Sequence, residues 1–350
     1  MKIIIAGDWL HPMYENSWSE SLNKSGHEVI KFTFLNLISN IIIKFEVKYS
    51  IPLFYIYKLN RKLYNNVINE KPEILLIWLG TQILPSTLAK IRKQTNTKII
   101  SYIHDDPFSH IYSRNSPKHH KYYWRTLING LKYYNLNCFS KELNVIESYN
   151  FGSKNSVVLR QFFTPSIHRP LKLTISDIYI YQCEVAFAGH YESDGRDIYI
   201  KYLVDNGIKV NLYGDSSWDF IDFSNWPKNF KKMNRMSGNE YTKALNGAVF
   251  CLCFMSKLNR DKYTTRCFEI PACASILVAE RTKELENIYR ENEEIILFNN
   301  KKELLHKIKY LLNNPTLIEK MKKLGYQKVY SNKDDVDSRT SKLIDLYKSI

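Results

Sequence analysis

The sequence predicts an α/β protein made of two open, parallel-sheet domains. Short apolar runs alternate with longer segments of helical period, and the alternation occurs twice along the chain. One run, "EILLIWLG" (73–80), has almost no polar alternation. A strand covered on both faces of a parallel sheet requires that pattern.

In the first half, "KIIIAG" (2–7) reads as a strand that ends at Gly7, residues 14–25 as a helix and "HEVIKFTF" (27–34) as a second strand. A helix is expected over 52–70, stopped by Pro72, followed by the buried strand at 73–80. "PSTLAKIRKQ" (85–94) has proline at its first turn, where a missing N–H costs nothing, and "KIISYIHDD" (98–106) is the next strand with its loop. In the second half, strands are expected at 183–189, 208–214, 249–255 and 293–298. Helices are expected at 195–207, 237–248, 301–313 and 315–330. Ser237 with Glu240 three residues on has the form of a capping box. "RQFFTPSIHRPLKLT" carries two prolines and marks the seam. The expected domains are 1–165, joined by a C-terminal helix at 333–350, and 175–332. Two such domains would enclose a cleft at the carboxyl ends of their strands.

The 350 residues suffice for two cores, and 44% hydrophobic content excludes a disordered polyelectrolyte. The six cysteines lie mostly in apolar runs without a CxxC pair, which predicts reduced, buried thiols. "MKIIIAGDW" lacks the form of a signal peptide. No apolar window reaches the roughly 18 residues of a membrane span; the run at 33–43 comes nearest and is ended by Lys44, Glu46 and Lys48. The expected location is cytoplasmic. The net charge of +15 implies an anionic partner: a nucleotide, a nucleic acid or an acidic lipid surface.

Three strand ends of the second half carry polar groups. After 183–189 comes "GHYESDGRD", where Gly189 and Gly195 permit close backbone approach and Arg196 opens a helix, in outline a diphosphate site. A surface arginine after a turn fits the same residues equally well. "VNLYG" places Gly214 at the next strand end. After 249–255 comes "SKLNRDKYTTRCFE". Thr264 or Thr265 would cap a helix on which Arg266 and Glu269 share a face, with Asp261 in the loop before it. A local ion pair is one reading of Arg266 and Glu269. Another is that the carboxylate accepts the two vicinal hydroxyls of a ribose.

"TTRCFEIPACASILVAE" and "ENEEIILFNNKKELLHKIKYLLNNP" resemble the C-terminal part of the CgeB-like, group 1 (family-four-like) glycosyltransferases, with their R-x-F-E-x-x-A-C-G core. "FAGHYESDGR", "VNLYG" and "MSGNEYTKALNGAVFCLCF" also resemble that family's donor domain, so the likeness covers 183–330. Over the first half it rests on "LNRKLYNNVINEKPEILLIW" and "IHDDP". The resemblance implies a GT-B fold, two Rossmann-like domains with parallel sheets facing a central cleft. It implies a hexosyltransferase-type, retaining enzyme that takes a nucleotide-diphosphate sugar and uses neither metal nor cofactor. Carried over, Glu269 binds the ribose, Arg196 approaches the diphosphate with help from Arg266 and the helix start at Thr265, and Asp261 stands beside the donor sugar. The family's glycine after A-C is Ala274 here, and Pro271 lies within the helix.

On the acceptor side, "GDWLHP" and "IHDDPF" offer Asp8, His11, His104, Asp105 and Asp106 at strand ends. A base matched to neutral pH favours His11 or His104, with Asp105 beside the latter. For each of these residues capping or turn duty is the commoner role, and "DDP" in particular is good turn chemistry. Residues 31–64 carry six Lys/Arg against one Glu, with eight Phe/Tyr, and 107–141 carry six Lys/Arg and no acid, with His110, His119 and His120 among aromatics. Such mixtures suit an anionic membrane surface, where a lipid-linked saccharide acceptor of capsule or lipopolysaccharide synthesis would wait. A solvated face over core aromatics fits them as well. The "DVD" at 335–337 reads as a helix cap, not a metal site. Two rival readings are a GT-B sugar-nucleotide epimerase and a non-catalytic polyanion binder on the same fold. Nucleic acid is not the expected partner.

Overall fold

The computed structural model describes residues 1–34, 41–112 and 116–350. Residues 35–40 of the apolar run at 33–43, and Arg114 of the basic run, lie outside the described residues. The chain divides into two compact units. The first is residues 1–161 with 258–260 and 336–350; the second is 162–257 with 261–335.

The first unit holds a six-stranded sheet: β1 (Lys2–Gly7), β2 (Glu28–Thr33), β3 (Ile74–Trp78), β4 (Lys98–Ile103), β5 (Leu136–Phe139) and β6 (Ser156–Val158). Its spatial order is β2-β1-β3-β4-β5-β6, with every pair parallel. All five residues of β3 are buried, as its unbroken apolar run requires. Pro85 stands at the start of the helix Pro85–Gln94. Helix Val336–Lys348 also belongs to this unit: Thr340 meets Ser21 of helix Ser17–Lys24 at 2.7 Å. Asp337 sits in its first turn, 3.4 Å from Lys24.

The second unit holds β7 (Cys183–Ala188), β8 (Val210–Gly214), β9 (Phe230–Asn234), β10 (Ala248–Cys253), β11 (Ile276–Glu280) and β12 (Ile296–Phe298). Their order is β12-β11-β10-β7-β8-β9, again all parallel. This is the doubly wound Rossmann order. The chain winds outward in one direction through β8 and β9, then returns to the other side of β7 through β10. The crevice beyond the carboxyl ends of β7 and β10 is therefore where such a sheet takes a ligand.

Several local expectations change. Ser237 makes no side-chain cap on helix Gly238–Asn246. Its intended partner Glu240 is drawn instead to Lys243 and to the Tyr181 hydroxyl, so the capping box does not form. A full capping box occurs at Thr174–Asp177, within the seam that the prolines had marked as irregular. The short strands β5, β6 and β9 carry too few apolar residues to stand out in the sequence. The left-handed turn expected after helix Arg266–Ala272 is present, with Ala274 at φ 54°, although glycine takes that conformation at lower cost. All six cysteines are buried and unbridged.

Candidate functional site

In the second unit, β7 leads through Gly189 into a loop that Arg196 closes. The Arg196 side chain is buried. Its Nε and Nη2 donate to Asp194 (2.9 and 2.6 Å), and its Nη1 donates to the His190 carbonyl (2.7 Å). Glu192 lies 3.5 Å away on the same fork. The guanidinium expected to approach a diphosphate is thus spent on its own loop, because two acids of "ESDGR" sit within reach. Glu192 also accepts from Ser256 (2.9 Å), which joins this loop to the one after β10. Burial, the largest single influence, pushes the Glu192 carboxyl up, but the His190 hydrogen bond, the Arg196 charge and the Ser256 bond together hold it below its usual value.

Gly189 leaves room for neighbouring side chains. A Cβ there would lie 2.9 Å from the Phe187 ring and 3.6 Å from Nη2 of Arg266. The end of β7 and the start of helix Arg266–Ala272 therefore meet, and Arg266 stands over the crevice at the strand-order reversal. Gly214 serves packing: a Cβ would strike Trp218, whose Nε1 donates to the Gly189 carbonyl (2.9 Å). Thr265 precedes the helix but makes no side-chain cap. Asp261 is half-buried, and its backbone N–H donates to Ser256 (2.9 Å). The charges of Asp261 and Arg266 both reach Cys253 at the end of β10. Gly189, Asp261 and Arg266 are thus gathered at one end of this sheet.

Glu269 is only 3% exposed. Its Oε2 accepts from the Tyr241 hydroxyl (2.9 Å), and its Oε1 lies 3.6 Å from Nε2 of His168. Nδ1 of His168 accepts the Thr164 N–H (3.0 Å), so the ring proton is on Nε2 and faces the carboxylate. Burial lowers the His168 pKa, with Glu269 opposing it, and burial raises that of Tyr241. Sequence reasoning missed both partners. His168 lies in the proline-marked seam, and no spacing signal connects it to Glu269.

In the first unit the strand order reverses between β1 and β3. Gly7 leaves room for Glu15, whose Oε1 accepts the N–H of Asp8 (2.9 Å). His104 follows β4; its Nε2 is 3.8 Å from Asp105, and its ring is 5.0 Å from that of Tyr14. The Tyr14 ring is in turn 5.7 Å from His11. His11, His104 and Asp105 are therefore neighbours through Tyr14. Asp106 does turn duty instead, accepting the Phe108 N–H (2.9 Å).

Burial, with Glu15 second, pushes the Asp8 carboxyl from 3.8 to about 6. A raised carboxylate pKa means that the native state holds a proton which the unfolded chain releases. The stability this contributes is fully present below the unfolded value and is lost as pH rises through about 6. Asp8→Asn is therefore expected to be more stable than wild type above that pH, by about 3 kcal/mol, with the difference vanishing in acid. Urea unfolding on both sides of the transition measures it, and a difference independent of pH would refute the assignment.

Residues 198–345 match a family model described as glycosyl transferase-like. A search of curated proteins returns no match. Solved structures similar over the whole chain include sucrose-phosphate synthase (tll1590) from Thermosynechococcus elongatus, at 11% identity and TM-score 0.73, covering 100% of this chain and 98% of that one. Another is Anabaena Alr3699/HepE, in complex with UDP and glucose, at 11% and 0.69, covering 100% of both. A glycosyltransferase from Rickettsia africae ESF-5 is similar at 14% and 0.68, covering 99% and 98%. At such identities the likeness is one of fold, and the fold is GT-B. Residues 198–345 are thus similar to glycosyl transferases, the enzyme class that the resemblance implied.

Proposed function

We propose that the protein transfers a hexose from a nucleotide-diphosphate sugar to a glycan or lipid-linked saccharide, as a retaining, metal-independent enzyme of the CgeB-like type. The observation that carries this reading is the meeting of Gly189, Arg266 and Asp261 at the strand-order reversal of the second sheet, with Glu269 one helical turn beyond Arg266. Arg266 would face the diphosphate, and Arg196 would hold the loop through which the backbone at Gly189 approaches it. Glu269 accepts one hydrogen bond, on Oε2 from Tyr241, which leaves acceptor positions for the two ribose hydroxyls. Asp261 stands on the donor-sugar side. In the first unit His11, His104 and Asp105 would bind and orient the acceptor hydroxyl.

In the step itself, the bond from the anomeric carbon to the phosphate oxygen breaks and a bond to the acceptor oxygen forms. The acceptor proton passes to the departing phosphate, and Arg266 stabilises the charge developing there. The solved neighbour bound to UDP makes uridine diphosphate the first nucleotide to try. Calorimetry with UDP, GDP, ADP and CMP should show micromolar to millimolar binding of one diphosphate; no binding of any would overturn the reading. Among the described residues no helix is long and apolar enough to cross a membrane. The proposed location is the cytoplasm, peripheral at the inner face of the membrane.

A further inference from the structure

The described part of 31–64 opens with β2 and continues as two helices, Ile41–Tyr49 and Phe54–Glu70. Its single acid, Glu46, is 1% exposed. Both of its oxygens cap the second helix, accepting the N–H groups of Tyr55 (3.2 Å) and Ile56 (2.9 Å). That use satisfies donors which the helix start would otherwise leave bare, and places negative charge where the helix favours it. It also removes the only anion from the outer face. The exposed charges here are lysines and one arginine, with no acid among them.

The same segment exposes apolar side chains that a soluble helix normally turns inward. Ile41 is 82% exposed, Ile42 59%, Phe45 50%, Phe54 79% and Tyr57 60%. Ile41 and Phe45 are one turn apart, and the Phe45 ring continues into Tyr49 at 4.8 Å. Lys58 lies over the Phe54 ring at 5.6 Å and also lines a cavity of about 240 Å³ with Lys31 and Lys62. Three ammonium groups around one small cavity suit a phosphate, and the exposed Phe54 ring lies beside Lys58. Beside the first helix, a cavity of about 540 Å³ has Ile43, Val47 and Tyr123 in its wall, with Lys44 and Lys48.

We propose that these two helices are a docking surface for an anionic phospholipid bilayer. Ile41, Ile42, Phe45 and Phe54 enter the boundary between headgroups and acyl chains, while the lysines meet lipid phosphates and Lys31, Lys58 and Lys62 hold one headgroup in the smaller cavity. The charge decides between occupants. A second copy of this chain would bring the same lysines against themselves, whereas an anionic bilayer complements them. This gives the proposed membrane-proximal acceptor a concrete contact, and it is tested separately from sugar transfer.

The test is flotation of the full chain with vesicles of phosphatidylcholine alone, or of phosphatidylcholine with phosphatidylglycerol, at physiological salt. Wild type is expected to float only with the anionic vesicles. Joint replacement Lys44→Gln, Lys48→Gln and Lys58→Gln should lower partitioning roughly a hundred-fold. Joint replacement Ile41→Ser, Phe45→Ser and Phe54→Ser should abolish flotation; all three side chains are exposed, and near-ultraviolet circular dichroism checks that the fold is kept. Wild type remaining in solution, floating equally on both vesicles, or forming a dimer that the serine variant breaks would each overturn the proposal. The nucleotide panel is independent of this result, so bilayer docking and the transferase reading fail separately.

Discussion

Glu269→Gln is expected to lose roughly ten- to a hundred-fold in affinity for a nucleoside diphosphate, the effect of removing a charge-assisted hydrogen-bond acceptor. The surroundings of Glu269 allow the experiment to tell a ribose ligand from a buried structural acid. Both readings share its contacts with Tyr241 and His168. An amide on the His168 side would set N–H against N–H; on the other side it would require the Tyr241 hydroxyl to turn and accept. Either arrangement costs stability, about 1–3 kcal/mol. Loss of stability alone therefore decides nothing, and calorimetric affinity measured on folded protein does. Tyr241→Phe supplies the control. It removes one buried donor and keeps the carboxylate, so it should lower the melting temperature while costing much less affinity. If Glu269→Gln melts earlier but binds UDP as wild type does, the ribose assignment falls.

The parallel α/β class was legible because its signal is local. A strand buried on both faces writes its burial into consecutive residues, as β3 does in "ILLIW". Pro85 fixed a helix start for the same kind of reason. Gly189, Arg266 and Glu269 were picked out by a motif and its family resemblance. What they touch was not. Arg196 had been assigned to a ligand because its loop position suits one, and two acids within four residues of it proved nearer. Asp106 looked like a turn residue and is one, yet it is also half of a buried ion pair with Arg260. Contacts of this sort depend on which strand ends the topology brings together, and the sequence spacing carries no trace of it. Glu46 is the clearest case. As text it is one acid in a basic run; in the fold it is a helix cap, and the surface becomes purely cationic.

Replacing Arg260 by leucine is expected to destabilise the first unit by about 3–5 kcal/mol, the cost of stranding buried charge. Its Nε and Nη2 donate to Asp106 (2.5 and 2.9 Å), and its Nη1 and Nη2 donate to Glu147 (2.8 Å each). The Asp106 side chain has no exposure and that of Glu147 has 9%. Two carboxylates so placed need the one guanidinium that bridges them, with Asn144 donating a further bond to Asp106 (2.9 Å). Burial is the largest single influence and lowers the Arg260 pKa, but the Glu147 and Asp106 carboxylates together outweigh it and raise it. The backbone of Arg260 is left-handed, φ 47°, a conformation that costs a non-glycine residue about 1 kcal/mol and persists only where surrounding bonds hold it. Arg260→Lys should recover little, since an ammonium cannot make the two parallel pairs of a planar fork. The decisive comparison adds Asp106→Asn and Glu147→Gln to Arg260→Leu. If charge burial is the cause, the triple variant should be more stable than Arg260→Leu alone in urea unfolding. If loop packing is the cause, the added amides should leave the loss unchanged or deepen it.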